Sequence, residues 1–301
     1  NVIFGLQSRA NELGIELEVM DANLDINKQT QQAEDFMTKG VDVLIMTPVN
    51  EQGVVPILRK AKAEGMPVVL EGSFAKGMTT LFAICDYDTG YKAGDEVGKI
   101  LVSRGVSDAR VMDVGLPLLS STLLRSLGFM EALAKHLPTV KVHELDGSGM
   151  IDSSVEVASA ALAKDSNINV IYGINDGSAL GGLQAWRAAG LPEDDLVVAG
   201  TGSEGLAFLN EMTKENTPYL VEAAMFPEGL GYTGMNLAVD LFNGKDVPYH
   251  KVTPSLALTK DNYAKYYDFD KEAQKRTIRF ADVASIPLEE KCTKYTEDLP
   301  N

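Results

Sequence analysis

VDVLIMTPVNEQGVVPILRKAKAEGMPVVL, residues 41–70, holds a complete strand–helix–strand unit. Residues 42–46 (DVLIM) are a short apolar run of strand length, and residues 53–64 space their apolar side chains as a helix does. Gly65-Met66-Pro67 then turns the chain into a second apolar run at 68–70. Two short β-rich runs separated by a helix cannot close as a hairpin. They read as parallel neighbours in a sheet covered by helices on both faces.

The alternation continues in both directions. Upstream, residues 16–20 (ELEVM) read as a strand and 28–39 as an amphipathic helix with Ala33, Phe36 and Met37 on one face. Residues 1–13 read as a helix ended by Gly14. A parallel α/β lobe ordinarily opens with a strand, so the first strand is expected to be missing from this chain. Downstream, strands are predicted at 81–84, 110–114, 140–144, 170–172, 196–199 and 219–223. The helices between and after them are predicted at 90–104, 121–137, 153–164, 177–189, 205–214 and 229–242. So many parallel strands suit two lobes better than one sheet. A Tyr-rich segment spans 263–269, and the charged tail that follows it to residue 301 has weak periodicity and is expected on a surface.

The 301 residues suffice for two ordinary domains, and 45% apolar content supports packed cores. With 27 basic against 43 acidic residues, the formal charge of -16 argues against nucleic acid or an anionic membrane as the main partner. No apolar run reaches membrane length, and the lack of a signal peptide decides nothing, because a mature chain has lost one. Of the two cysteines, Cys85 reads as a small buried thiol. A bridge to Cys292 requires the tail to return to the same lobe.

Gly200-Thr201-Gly202-Ser203-Glu204-Gly205 fits a dinucleotide fingerprint, with Glu222 at a distance suited to a ribose. It lies late in the chain and no catalytic His, Cys or Tyr-Lys set accompanies it, so no cofactor is expected. A strand-to-helix loop lining a solute cleft is the preferred reading. Asn175-Asp176 sits between a strand and a helix, where one side chain caps the helix and the other faces a ligand. Arg125 stands in an apolar helix opening, where its fork either reaches solvent or holds two ligand oxygens. Glu71 and Asp86 are acids at strand ends. His136, His143 and His250 share no ligand spacing, so no metal site is expected, and neither HExxH nor GxSxG occurs. The chain is therefore read as a binder and not an enzyme.

Several segments, in order, resemble one family. These are Gly5 to Gly14, then Gly40-Val41-Asp42-Val43-Leu44-Ile45 with Pro48, then Gly65-Met66-Pro67-Val68-Val69. Arg125-Ser126-Leu127-Gly128-Phe129 and Asn175-Asp176 with Ala179-Leu180-Gly181 follow. From about residue 5 to residue 263 the chain resembles the type I periplasmic binding proteins of sugar transport systems, especially the ribose-binding-like group. LacI-type effector domains share the architecture. The resemblance implies an α/β fold of two Rossmann-like lobes with parallel sheets and a three-segment hinge near Asp86, Pro227 and Pro254. Lobe 1 would hold residues 1–86 and 227–254, lobe 2 residues 87–226 and 255–270, and residues 271–301 would form a C-terminal extension.

The resemblance implies Arg125 and Asn175 as sugar contacts of the second lobe. Asp86 would adjoin a hinge aspartate position taken here by Cys85, and Glu71 would lie in a ligand-binding turn. Gly202 falls on the family's ligand-binding aspartate, leaving Ser203 or Glu204 to replace that acceptor, and Met225 falls on a polar hinge position. The function implied is that of an extracytoplasmic solute-binding protein of an ABC transporter, taking a sugar, polyol or similar solute by hinge closure. A sensory protein of the same fold, feeding a chemotaxis or sensor-kinase receptor, is the alternative. The implied partners are the solute and a membrane permease with its ATPase. The protein would be a monomer, either periplasmic or lipid-anchored outside a Gram-positive cell.

Overall fold

The computed structural model describes residues 1–288 and 291–295. The chain opens with α1 (Val2–Leu13), α2 (Ile26–Lys39), β1 (Leu44–Met46), α3 (Val55–Ala63), β2 (Val68–Glu71) and β3 (Thr80–Ala83). It continues through α4 (Asp86–Ser103), β4 (Asp108–Gly115), α5 (Ser120–His136), β5 (Thr139–Asp146), α6 (Ile151–Leu162) and β6 (Val170–Gly173). Next come α7 (Asp176–Ala188), β7 (Val197–Gly202), α8 (Ala207–Met212), β8 (Tyr219–Ala224) and α9 (Pro227–Phe242). The last elements are β9 (His250–Val252), β10 (Leu256–Leu258), β11 (Tyr267–Asp270), β12 (Lys275–Ile278) and α10 (Phe280–Ala284). They fall into two units, Asn1–Ile84 with Pro227–Thr253, and Cys85–Phe226 with Pro254–Asn301. No helix among the described residues is long and apolar enough to cross a membrane.

The first unit has a parallel sheet in the order β1-β2-β3-β9. Leu44, Met46, Val68, Leu70 and Leu81 pack on one side against Ile57, Leu58 and Ala61 of α3 and Ala33 and Met37 of α2. On the other side α1 crosses α9 so tightly that glycine is required at the contact. A Cβ at Gly5 would fall 1.9 Å from the Glu228 carbonyl oxygen, and one at Gly231 would fall 1.9 Å from that of Val2.

The strand predicted at 16–20 is not formed. A strand exists by its ladder, and among the described residues no backbone hydrogen bond joins this segment to a neighbour. Ile15 and Leu17 instead face a cavity of about 780 Å³ whose other wall includes Val43, Leu44 and Ile45 and which also touches Met235 and Phe242.

The second unit has a six-stranded sheet in the order β10-β8-β7-β6-β4-β5, all parallel except β10 against β8. Its inner strands β6, β7 and β8 are buried on both faces and read as near-continuous apolar runs for that reason, whereas the edge strand β5 is largely exposed. Val111, Val170, Tyr172 and Val197 face Val97, Leu101, Phe129 and Leu133 of α4 and α5. Met112, Ile171 and Val198 face Ala158, Leu183 and Phe208 of α6, α7 and α8.

Three expectations are corrected in this unit. The tail is not confined to a surface, for Ile278, Val283 and Cys292 are buried. Tyr266 and Tyr267 are buried with Phe226 stacked on Tyr267 at 5.8 Å, and β11 pairs with β12 so that Ile278 joins the same core. Aromatic rings bury large apolar areas without obeying a short periodicity, so the pattern gave no sign of it. The hairpin crosses residue 270, where the C-terminal extension was drawn, and residues 289–290 and 296–301 of that extension lie outside the described residues.

The second correction concerns Cys85, which is no free thiol. It is bonded to Cys292, with Cα atoms 5.1 Å apart. The returning tail is held there by Thr293 N–H donating to Asp88 at 2.9 Å and by Lys294, which pairs with Glu131 at 2.6 Å and lies over the Tyr87 ring. The third is the start of α4, which begins at Asp86 and not Gly90 and so carries Asp86 and Asp88 in its first turn. Acidic side chains there face the positive end of the helix.

Candidate functional site

In the second unit β5 is added to one side of β4, whereas β6, β7 and β8 are added in turn on the other. The winding reverses between β4 and β6. The helices at such a reversal diverge to opposite faces, leaving a crevice beyond the carboxyl ends of the strands in which open α/β sheets hold small molecules. The two chain segments that leave this point lead into α5, with Arg125, and through Ile174-Asn175 into α7.

Arg125 links them. Its Nε donates to Asp86 Oδ1 at 2.8 Å and its Nη1 to the Ile174 carbonyl at 3.0 Å. Nη2 has no hydrogen-bond partner among the described residues, and the side chain is 13% exposed, so the arginine neither reaches freely into solvent nor closes off its fork. Glycines set this geometry. A Cβ at Gly90 would lie 2.0 Å from the Arg125 carbonyl oxygen, and one at Gly128 would lie 2.0 Å from that of Tyr87. The bare helix faces let α4 and α5 approach until Asp86 meets Arg125. Burial opposes the guanidinium charge, but the Asp86 carboxylate beside it holds the group above its ordinary range.

Asn175 performs the cap that was expected of it or of Asp176. Its Oδ1 accepts from Ser178 N–H at 2.7 Å, and its Nδ2 donates to the Gly149 carbonyl at 2.8 Å. Asp176 turns the other way, toward the end of β7. It accepts from Ser203 N–H at 3.0 Å and Glu204 N–H at 2.9 Å. Glu222 accepts from Ser203 N–H at 2.7 Å and from the Tyr219 hydroxyl at 2.6 Å. Burial and the neighbouring Glu204 charge push Asp176 up to about 6. Burial and Asp176 push Glu222 well above the carboxylate range, so Glu222 is the member that keeps a proton.

These contacts explain the dinucleotide-like glycines. A Cβ at Gly200 would fall 1.9 Å from the Tyr219 hydroxyl and 2.5 Å from Glu222 Oε2. The glycine makes room for side chains of the next strand. The N–H groups of Ser203 and Glu204, which would have to face a phosphate, donate to carboxyl groups of the protein itself.

The remaining candidates are placed as follows. Ser203 is fully buried at φ 60°, with its hydroxyl donating to the Gly202 carbonyl at 2.5 Å and lying 3.1 Å from the Tyr267 hydroxyl. It supports the loop from inside and offers no acceptor to solvent, which corrects its reading as a solute contact. Met225 is half-buried at the end of β8, and its N–H donates to the Gly202 carbonyl at 3.2 Å. Glu71 is half-buried at the end of β2 in the first unit and accepts from the Thr47 hydroxyl at 2.8 Å. The structure thus joins Arg125, Asp86 and Asn175 through Ile174 and the α4–α5 contact, and joins Ser203 and Met225 through Gly202. The part of Asp176 as a structural organiser has no local sign, because an Asn-Asp pair before a helix reads as one cap and one ligand-facing side chain. Among the described residues the one grouping of potential metal donors is Cys85, Asp88 and Cys292, and both sulfurs are committed to the disulfide.

Residues 2–246 match the model of the periplasmic binding protein domain. The chain is 27% identical over 246 residues to the ribose import binding protein of Bacillus subtilis, covering 81% of this chain and 77% of that one. It is 26% identical over 275 residues to the D-xylose-binding periplasmic protein of Escherichia coli, covering 84% and 80%. An ABC transporter solute-binding protein of Mycobacterium smegmatis, solved with bound glycerol, superposes with a TM-score of 0.80 at 22% identity, covering 87% of this chain and 90% of that one. With the family match spanning most of its length, and with parallel sheets in both units, the chain belongs to the periplasmic binding protein domain family.

Proposed function

We propose that this chain is an extracytoplasmic solute-binding protein of an ABC importer, and that it binds a sugar or polyol without transforming it. One observation carries the reading: Arg125 is held by Asp86 and the Ile174 carbonyl at the strand reversal with part of its donor fork uncommitted. A fixed, charged donor that is already oriented gives a hydroxylated solute strong hydrogen bonds at little entropic cost. The relatives named for ribose and xylose and the neighbour holding glycerol support a neutral, hydroxyl-rich solute.

In this reading Arg125 and Asn175 contact the solute, Asp86 orients Arg125, and Glu71 and Met225 contribute from the ends of β2 and β8. The chain crosses between its units at Ile84/Cys85, Phe226/Pro227 and Thr253/Pro254, and these crossings would serve as the hinge. Binding would stabilise a closed form already accessible to the free protein. The partners would be a membrane permease with its ATPase, the compartment periplasmic or otherwise extracytoplasmic, and the protein a monomer.

The test is calorimetric titration of ribose, xylose, glycerol and myo-inositol into the wild type and Arg125→Ala. The variant is expected to lose about tenfold or more in affinity with its circular dichroism unchanged. Equal affinity would remove Arg125 from the site.

A further inference from the structure

Helix α4 starts without a side-chain cap. Cys85 occupies the N-cap position, where a serine, threonine or aspartate would accept from the first helix N–H groups, and its side chain makes no such bond. The first turn nevertheless carries Asp86, the carboxylate that holds Arg125. A fraying turn would let that pair go.

The tail of the chain takes the place of the cap. Cys292 is bonded to Cys85 across 207 residues of sequence. Thr293 N–H donates to Asp88 Oδ2 at 2.9 Å. Lys294 Nζ lies 4.6 Å from the centre of the Tyr87 ring and donates to Glu131 Oε1 at 2.6 Å, while the Tyr87 hydroxyl donates to Glu131 Oε2 at 2.6 Å. The tail is itself turned back by Cys292 N–H donating to the Tyr295 hydroxyl at 3.2 Å. Residues 85, 87 and 88 are therefore gripped on either side of Asp86. Glu131 ties the same tail to α5, the helix that carries Arg125. The covalent link is also shielded: Cys85 is 1% and Cys292 5% exposed, so an external thiol has no access to either sulfur in the folded protein.

We propose that residues 292–294 form a positioning strap for the solute site. They hold the first turn of α4, and through it Asp86 and the orientation of Arg125. The inference rests on the solute-binding reading above, and no residue of the strap has to touch the solute. With the turn loosened, Arg125 samples more directions, and part of the binding free energy goes into ordering it. The effect on affinity passes through the Asp86–Arg125 pair, which separates it from a general loss of stability.

The experiment compares four full-length chains: the wild type, Cys85→Ala with Cys292→Ala, Asp86→Ala, and the combination of all three substitutions. Alanine is chosen because it cannot cap the helix. Each is titrated with ribose, xylose, glycerol and myo-inositol at a temperature where circular dichroism shows it folded. The paired cysteine variant should melt lower than the wild type and bind about three- to tenfold more weakly. In the Asp86→Ala background the same two substitutions should again lower the melting temperature but leave affinity unchanged, because the pair they act through is already gone. Equal affinity of the wild type and the paired cysteine variant overturns the strap and leaves the solute-binding reading standing. An equal loss in both backgrounds also overturns it, since the tail would then act on the fold at large. If the cysteine variant does not fold, Lys294→Ala, which keeps the disulfide, carries the test in the same two backgrounds. A loss of about two- to threefold that disappears with Asp86→Ala supports the strap, and unchanged affinity overturns it. Failure of every compound to bind the wild type overturns the solute-binding reading, and this inference with it.

Discussion

In the first unit α1 meets α9 with Gly5 and Gly231 against the backbones of Glu228 and Val2; in the second α4 meets α5 with Gly90 and Gly128 against those of Arg125 and Tyr87. The same device, bare helix faces at carbonyl distance, serves both. The units differ at their sheets. The described strands of the first follow one another in a single direction before β9 is added, whereas the second reverses between β4 and β6. There the helix contact places an ion pair, Arg125 with Asp86, beside the strand ends. Tight helix contacts are thus part of the common architecture, and the site arises where such a contact coincides with a reversal of winding.

That comparison can be broken most forcefully at the glycines. A methyl group on Gly128 or Gly231 must displace a backbone carbonyl, and rigid overpacking of this kind costs about 2–3 kcal/mol. Both Gly128→Ala and Gly231→Ala should show that loss in urea denaturation. Solute affinity should separate them: Gly128→Ala pushes Asp86 away from Arg125 and weakens binding by about tenfold or more, whereas the folded fraction of Gly231→Ala binds as the wild type does. Equal affinities in the two variants would mean that the α4–α5 contact does nothing beyond holding the fold.

The units should also respond to pH with opposite signs. Asp113 on β4, reached by the Ser126 hydroxyl at 3.1 Å, is pushed up to about 7 by burial and by Glu144 across the β4–β5 ladder. Tyr172 pairs with it on β6. The folded protein keeps this proton where the unfolded chain has lost it. Its stabilising effect is therefore complete below about pH 4 and is lost as the pH rises through 7. Asp176, raised to about 6, acts in the same direction. In the first unit, half-buried His250 is lowered by burial, so its contribution is present above the ordinary histidine value and is lost as the pH falls. Between pH 5 and 8 the wild type should lose about 2 kcal/mol more stability than Asp113→Asn. Denaturation at each pH gives the total, and amide exchange assigns it to a unit. A slope that survives in Asp113→Asn would exclude Asp113 as its source.

The sheet and helix pattern was legible because buried parallel strands repeat a short apolar run and their helices repeat an apolar stripe. Arg125 stood out as a charged side chain in an apolar helix opening and Asn175 as a cap between strand and helix, while the solute-contact role proposed for each came from the family resemblance. What escaped lacked a local period. Residues 16–20 have the composition of a strand, but a ladder depends on a neighbour that composition does not supply. Tyr266 and Tyr267 are core by virtue of Phe226, some forty residues earlier. The Cys85–Cys292 bond spans 207 residues, and two cysteines state no distance. Ser203 was misjudged because its neighbour Gly202 allows the turn that sends the hydroxyl inward, a matter of backbone angle and not of residue type.

The smallest effect tests the same contrast one helix cap at a time. Asp25 caps α2 in the first unit, accepting from Asn27 N–H at 2.8 Å and Lys28 N–H at 3.2 Å, and Asn175 caps α7 in the second. Removing either acceptor leaves helix N–H groups without a partner and costs about 1 kcal/mol. Asp25→Ala should lose that stability and nothing else. Asn175→Ala should lose a similar amount and also solute affinity, because its amide faces the strand reversal and fixes the Gly149 loop. Asn175→Asp keeps the capping oxygen but sets a carboxylate oxygen against the Gly149 carbonyl, so it loses stability through that loop and not through the cap. If Asn175 recognises solute, the folded fraction of Asn175→Asp binds about tenfold less tightly. Binding equal to that of the wild type would reduce Asn175 to the counterpart of Asp25, leaving Arg125 as the side chain that distinguishes the second unit from the first.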